Sequence, residues 1–449
     1  MSDLSHLIKA YDVRGVVPDE WDADLAEQLG AAFTALIPDA EAVVIGQDMR
    51  PTSPQLADAF AAGITSRGKN VIHIGLAATD QLYFASGHLG LPGAMFTASH
   101  NPAKYNGIKL CRAGAAPIGQ DSGLADLRHM VETGSLPPVA PVPGTAVSRD
   151  LLGDYAQYLL GLVDLADIRP LRVVVDAGNG MAGHTVPAVL GAIAQLEVVP
   201  MYFELDGSFP NHEANPIEPS NLVDLQREVL ASGADLGLAF DGDADRCFVV
   251  DETGEIVSPS TLTALIAVAE LKDHPGASII HNLITSRAVA EIVAENGGLP
   301  VRSRVGHSFI KALMAETGAV FGGEHSGHFY FRDFWRADSG MLAALHAIAA
   351  VGRAGAASEV FARYQRYVAS GEINRRVTDA TPVQEQVAEQ FSGERIDHLD
   401  GLTVTADDWW FNLRPSNTEP LLRLNVEGVN AETMMGIRDR VLAIVGEDS

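Results

Sequence analysis

The chain has 449 residues, 47% of them apolar, which at ~150 residues per domain suggests about three domains with real hydrophobic cores. Its formal charge of −27 argues against nucleic acid or an anionic membrane as a partner, and it requires any anion-binding site to gather cations locally. Two cysteines, Cys111 and Cys247, exclude a disulfide framework. With no signal-peptide-like start and no apolar run near the ~20 residues that span a bilayer, the expected location is cytoplasmic.

Taken in chain order, residues 41–48, 93–99, 172–180, 235–241 and 319–324 are short apolar runs ending in small or polar residues. They read as buried strands followed by helical patterns, the signature of α/β units whose ligands gather at the carboxyl ends of the strands. Residues 136–144 carry four prolines, an extended linker or domain edge. Further boundaries fall just past the acidic loop near Asp251 and near Ser370. The tail reads as a strand at 373–379, a helix at 382–391, two or three strands within 402–427 and a closing helix at 431–445. Strands there outnumber crossover helices, so the tail is a small α+β domain. The length estimate therefore rises to four domains, at 1–148, 149–250, 251–368 and 369–449.

Several motifs carry chemistry. Tyr11-Asp-Val-Arg-Gly15 puts Arg14 before a glycine turn, where it is able to touch a phosphoryl group. Thr97-Ala-Ser-His-Asn-Pro102 ends a buried strand with Ser99, and His100 and Lys109 follow within reach. A serine hydroxyl is a poor nucleophile and needs a base, a metal or a phosphorylated state; the mundane reading of the same residues is a helix-capping turn. Residues 172–183 form a glycine-rich segment that misses the dinucleotide fingerprint and reads as strand-to-helix packing. Asp241-Gly-Asp-Ala-Asp-Arg246 sets Asp241, Asp243 and Asp245 at alternate positions. Three carboxylates so close repel one another without an ion between them, and oxygen-only ligands suit Mg²⁺ or Ca²⁺. An EF-hand is excluded, because Arg246 stands where its turn needs glycine and the flanks are strand-like.

Gly322-Gly-Glu-His-Ser-Gly-His328 offers Glu324, Ser326 and His328, a set suited to sugar hydroxyls. Zinc at His325 and His328 lacks a third soft ligand. Arg414-Pro-Ser-Asn-Thr-Glu-Pro420, with Arg423 behind it, makes a phosphate cradle of guanidinium, hydroxyl, amide and backbone N–H groups.

Together, in this order, the motifs resemble the alpha-D-phosphohexomutase family over essentially the whole chain, closest to bacterial phosphomannomutase/phosphoglucomutase members. Residues 209–219 also look like the family's connecting segment. The resemblance implies three related α/β domains with mixed sheets plus a C-terminal α+β lid domain around a central cleft. It implies that Ser99 is a phosphoserine, and that Asp241, Asp243 and Asp245 bind Mg²⁺ together with an oxygen of that phosphoserine. Glu324 and Ser326 would hold the sugar, and Arg414, Ser416, Asn417 and Thr418 the phosphate that is not reacting. Arg14, His100, Lys109, Arg246, His307 and His328 match positions around the transferring group, with Lys311 assisting.

The implied reaction interconverts mannose 1-phosphate and mannose 6-phosphate through a hexose 1,6-bisphosphate, which also serves as activator. Lys109 is the candidate base, with His328 or His307 helping. The Arg-Pro-Ser-Asn-Thr loop departs from the Arg-x-Ser-Gly-Thr usual in glucosamine-phosphate mutases, which leaves phosphoglucomutase as the near alternative and phosphoglucosamine mutase as the more distant one. Residues 282–287 lack the lysine that relatives often offer to the sugar; Arg287 or Lys311 is expected to compensate. Readings of another class are a sugar phosphatase with an aspartyl nucleophile and a non-catalytic sugar-phosphate binding protein. The expected partner is a small sugar phosphate, without nucleic acid or membrane, on a monomer or homodimer.

Overall fold

The computed structural model describes residues 3–416 and 421–446, apart from the side chains of residues 307 and 308. The chain forms two compact units, one of residues 1–259 and 326–360, the other of residues 260–325 and 361–449.

The first unit carries two mixed sheets. In the first, strands run in the order Val13–Val16, Tyr105–Arg112, Gly93–Phe96, Ala42–Gln47, Asn70–Leu76 and Ala146–Ser148, with Ala116–Pro117 pairing on Tyr105–Arg112. Its core is aromatic and aliphatic, with Phe33, Phe60 and Phe96 buried between the sheet and the helices Ala23–Leu36 and Ser53–Thr65. The proline-rich segment is fastened: Ala140 and Gly144 donate backbone hydrogen bonds to Ser66 and Thr65, and the strand behind them extends the sheet edge. In the second sheet the order is Ile256–Val257, Cys247–Asp251, Leu236–Phe240, Leu171–Asp176 and Leu196–Met201.

The expectation that every apolar run leads into a helix fails at three places. Gly93–Phe96 is followed by the antiparallel strand Tyr105–Arg112, Leu236–Phe240 by the antiparallel strand Cys247–Asp251, and Phe321–Gly323 by the strand Phe329–Phe331. The first two links are the serine loop and the acidic loop, too short for a crossover, which needs a dozen residues or more. Both therefore fold as strand–loop–strand and hang rigidly from two hydrogen-bonded strands.

In the second unit, Ser278–Asn282 pairs in parallel with Leu299–Ser303 and Phe321–Gly323. A separate sheet, ordered Val368–Arg376, Leu421–Gly428, Trp409–Pro415, Leu402–Thr405 and Arg395–Asp397, is antiparallel throughout. Helices Ala380–Gln390 and Ala431–Val445 share its core through Val387, Phe411, Leu424 and Val441. The α+β reading of the tail holds; the strand Arg395–Asp397 was not anticipated, and the first strand starts at Val368. The chain's longer apolar stretches, residues 262–271 and 341–351, lie in the helices Pro259–Asp273 and Gly340–Ala354. Among the described residues no helix is long and apolar enough to cross a membrane.

Candidate active site

Ser99 sits just past the end of Gly93–Phe96, buried, with φ of 49°. The left-handed region is costly for a residue with a Cβ and persists only where the surroundings impose it. Its backbone N–H donates to Thr97 Oγ1 at 2.9 Å, and its hydroxyl donates to Asp241 Oδ2 at 2.7 Å. His100 Nδ1 lies 3.2 Å from Ser99 Oγ but accepts a hydrogen bond from Arg246 at 2.9 Å. Burial, then the Arg246 and Arg14 charges, hold the His100 imidazole well below its usual range, so it is neutral. Its Nδ1 lone pair is already engaged and does not activate Ser99.

The acidic loop between Leu236–Phe240 and Cys247–Asp251 brings Asp241, Asp243 and Asp245 together, all buried, with ligand oxygens within 4.8 Å of one another. Among the described residues Asp243 Oδ1 and Asp245 Oδ1 are buried without a hydrogen-bond partner. Such orphaned carboxylate oxygens are expensive unless a cation faces them, so the donor set fits a hard divalent metal. Burial, with Asp243 and Asp245 adding repulsion, raises Asp241 well above the carboxylate range. Asp243 moves the other way: against its burial, the Lys109 ammonium and the Thr79 hydroxyl pull it down. Thr79, first residue of the helix Thr79–Leu89, donates its hydroxyl to Asp243 Oδ2 at 2.5 Å and its N–H to Asp243 O at 2.9 Å. A further group, Asp245, His328 and Asp338, also presents ligand atoms within 4.8 Å.

The cations gather as the net charge demanded. Lys109 donates to Asp243 Oδ2 at 2.7 Å and Asp245 Oδ2 at 2.5 Å. Arg246 lies 3.5 Å from Asp241 Oδ2 and donates to His328 Nε2 at 3.3 Å. Arg14 pairs with Asp12 and donates to Asn101 Oδ1 at 2.7 Å.

Lys109, the candidate base, takes its protonation from its neighbours. Burial opposes its charge, but Asp243 and Asp245 outweigh that and raise it well above the ordinary lysine value. With the two carboxylates facing it and no ion between them Lys109 is an ammonium, whereas a general base needs the opposite shift. His328 is neutral, lowered to about 4 by burial and Arg246, and its Nδ1 lies 2.9 Å from Ser326 Oγ.

In the second unit, Glu324 is buried and accepts from Asn282 Nδ2 and Gly306 N–H, each at 3.2 Å. Lys311 is buried on the helix His307–Thr317; the side chain of His307 lies outside the described residues. Arg287 does not compensate for the missing lysine: it donates to Glu291 Oε1 and Ala406 O and stacks on Tyr367. Arg414 and Arg423 face each other across two antiparallel strands. Such a like-charged pair needs a counter-ion. Glu372 supplies it, accepting from Arg414 at 2.8 Å and from Arg423 at 3.2 Å, while Arg423 also donates to Ser416 Oγ at 3.3 Å. Among the described residues the Nε donors of both arginines are buried without a hydrogen-bond partner, which suits an anion cradle. Asn417 and Thr418 lie outside the described residues.

Two supports went unread in the sequence. Thr79 lies 164 residues from its partner Asp243. The glycine-rich segment does more than pack a helix: Met181 N–H donates to Gly242 O at 2.9 Å, and a Cβ on Gly180 would come within 2.7 Å of that oxygen. This segment therefore buttresses the acidic loop.

Phosphoglucomutase/phosphomannomutase alpha/beta/alpha domains I, II and III match residues 5–134, 153–254 and 258–367, and the C-terminal domain matches residues 372–444. The chain belongs to the phosphoglucomutase/phosphomannomutase family. A phosphomannomutase of Salmonella typhimurium is 40% identical over 444 residues, covering 97% of each chain. A Xanthomonas campestris protein described as phosphohexose mutases is 43% identical, covering 93% of this chain and 94% of that one. The crystal structure of a Burkholderia thailandensis family member, 32% identical, superposes with a TM-score of 0.90 over 99% of this chain and 98% of that one. Membership makes the chain an isomerase of the phosphohexomutase class.

Proposed function

We propose that the chain is a Mg²⁺-dependent phosphomannomutase that interconverts mannose 1-phosphate and mannose 6-phosphate and also accepts glucose phosphates. The observation that carries the mechanism is the buried, left-handed Ser99 whose hydroxyl bonds Asp241 inside a carboxylate cluster with orphaned oxygens. The sugar assignment rests on relatives of about 40% identity described as phosphomannomutases.

In this reading Ser99 carries the phosphoryl group, and Asp241, Asp243 and Asp245 hold Mg²⁺. When bound, the metal neutralises charge on the phosphoryl oxygens. The P–O bond to Ser99 breaks as a new one forms to the sugar hydroxyl oxygen, whose proton ends on the Ser99 oxygen, giving a hexose 1,6-bisphosphate; its other phosphoryl group then returns to Ser99, and the serine proton ends on the sugar oxygen that it leaves. Lys109, Arg246 and Arg14 supply fixed positive charge where it spreads in the transition state, which is most of what phosphoryl transfer needs. Glu324, Ser326 and His328 bind the sugar, assisted by Lys311, and Arg414, Ser416, Asn417 and Thr418 hold the phosphate that is not reacting. A four-domain division belongs to the same proposal, with the second boundary moved to about residue 257, because the hairpin Cys247–Asp251 to Ile256–Val257 closes the second sheet.

Phosphorus NMR tests this. Protein is mixed with Mg²⁺, a trace of glucose 1,6-bisphosphate, and mannose, glucose or glucosamine 1-phosphate in separate tubes. Growth of a sugar 6-phosphate signal without inorganic phosphate, fastest with mannose, is expected. Inorganic phosphate in its place would support a phosphatase, and turnover of glucosamine phosphate alone would overturn the sugar assignment.

A further inference from the structure

Arg50 follows the strand Ala42–Gln47, and its side chain is completely shielded from solvent. A guanidinium has five N–H donors in a fixed plane, and here every one is used. Nε–H donates to Asp48 Oδ2 at 3.1 Å. One terminal nitrogen donates to the carbonyls of Pro102 and Tyr105, at 3.0 and 2.9 Å. The other donates to the carbonyls of Ser99 and Asn101, at 2.9 and 2.7 Å. Four carbonyls of the serine loop thus converge on one cation. Asp48 fixes that cation in turn: its Oδ1 accepts from Arg50 N–H at 3.1 Å and from the Ser53 hydroxyl at 2.6 Å. The Phe209 ring covers the guanidinium at 5.2 Å.

We infer that Arg50 is a positioning residue for the phosphoryl-carrying serine: its guanidinium ties the loop carbonyls together and holds Ser99 in the left-handed conformation that aims its hydroxyl at Asp241. The inference rests on reading Ser99 as the phosphoryl carrier. A buried ion pair of this kind stabilises little in general, because desolvation offsets the attraction. Its consequence here is geometric. Carbonyl oxygens pointing inward at 99, 101, 102 and 105 leave the loop only a narrow set of backbone conformations, and Ser99 occupies one that it would not adopt alone. Lysine keeps the charge but offers three donors without the planar fork, so it cannot span four carbonyls and Asp48.

The test is Arg50→Lys in the full-length protein, with Val43→Ala as a comparator that destabilises the same sheet from its core. Arg50→Lys is expected to lower kcat by about a hundredfold, the scale of an ångström-sized misplacement, with KM for the sugar phosphate within about twofold of wild type. Val43→Ala, at matched loss of melting temperature, is expected to keep its kcat. If Arg50→Lys keeps kcat within about twofold, or the comparator loses as much, Arg50 is only structural and the inference fails. Should Arg50→Lys not fold, Asp48→Asn carries the same test, with a fall in kcat expected and an unchanged kcat overturning it. Ser99→Ala separates the two layers. An active Ser99→Ala protein removes the phosphoserine reading itself, whereas an inactive one beside a normal Arg50→Lys removes the Arg50 inference alone.

Discussion

Gly242, between the metal-loop carboxylates Asp241 and Asp243, is a sensitive point for a minimal perturbation. A Cβ there would lie 2.4 Å from the Ser99 carbonyl oxygen and 3.3 Å from its carbon. The backbone of Gly242 is not in the left-handed region, so Gly242→Ala probes contact and nothing else. The opposite side offers no relief, since Gly242 O is held by Met181 N–H and backed by Gly180. Serine loop and acidic loop must therefore separate by roughly half an ångström or more, at a packing cost of about 1–3 kcal/mol. That separation opens the 2.7 Å contact between Ser99 Oγ and Asp241. Misplacement of this size in a site that works by positioning lowers the rate about tenfold to a hundredfold. The assay is steady-state turnover of mannose 1-phosphate at saturating Mg²⁺, well below the variant's melting temperature. Gly191→Ala is the control, because a Cβ there meets nothing within 4 Å. Gly242→Ala turning over within about twofold of wild type would refute the tight coupling of the two loops.

Other expectations follow from the same geometry. Ser99→Ala should abolish turnover and phosphate incorporation while keeping the melting temperature within a few degrees; residual incorporation by mass spectrometry would count against Ser99. Chelation should abolish activity and should lower the melting temperature less as pH falls. Asp241 is raised by burial and by Asp243 and Asp245, so its protonated form supports the metal-free fold at low pH and that support is lost as pH rises; a shift that does not change with pH would contradict this. Asp80 is raised to about 7 by burial, with Asp245 and Asp338 adding to it against the Ser339 and Tyr155 hydroxyls. Its contribution is full below about pH 4 and disappears as pH climbs through about 7, so Asp80→Asn should flatten the melting profile across that window. Arg414→Ala should lower kcat/KM by about tenfold to a hundredfold, the worth of a charged hydrogen bond, and an unchanged value would remove the cradle.

What was legible in the sequence was what is contiguous. The carboxylates at 241, 243 and 245 announce themselves because their mutual repulsion has no cheap explanation, and Ser99 because a polar nucleophile closes an apolar run. The strand-like flanks of the acidic loop were legible, while the antiparallel return after Phe96 was obscured because loop and strand together resemble a helix-length gap. Arg50 and Thr79 were invisible for another reason. Arg50 acts on backbone carbonyls about fifty residues away and Thr79 on a carboxylate 164 residues away, and a carbonyl leaves no trace in residue type. Lys109 was legible as a participant but its protonation was not, since that depends on Asp243 and Asp245, which only folding brings to it.

The charge balance around Ser99 gives these pieces one explanation. The protein as a whole is strongly negative, yet the site sets Lys109 and Arg246 against Asp241, Asp243 and Asp245, and Arg14 against Asp12. A phosphoserine adds close to two negative charges at neutral pH, and the cations described near Ser99 are already engaged: Lys109 with Asp243 and Asp245, Arg246 with Asp241 and two imidazoles, Arg14 with Asp12 and Asn101. A divalent cation between the carboxylates restores the balance, which makes metal affinity and Ser99 phosphorylation mutually reinforcing by linkage. Mg²⁺ should therefore bind the phosphorylated protein more tightly than Ser99→Ala. Isothermal titration of the two proteins measures that difference, and equal affinities would mean that the carboxylates alone set the metal site.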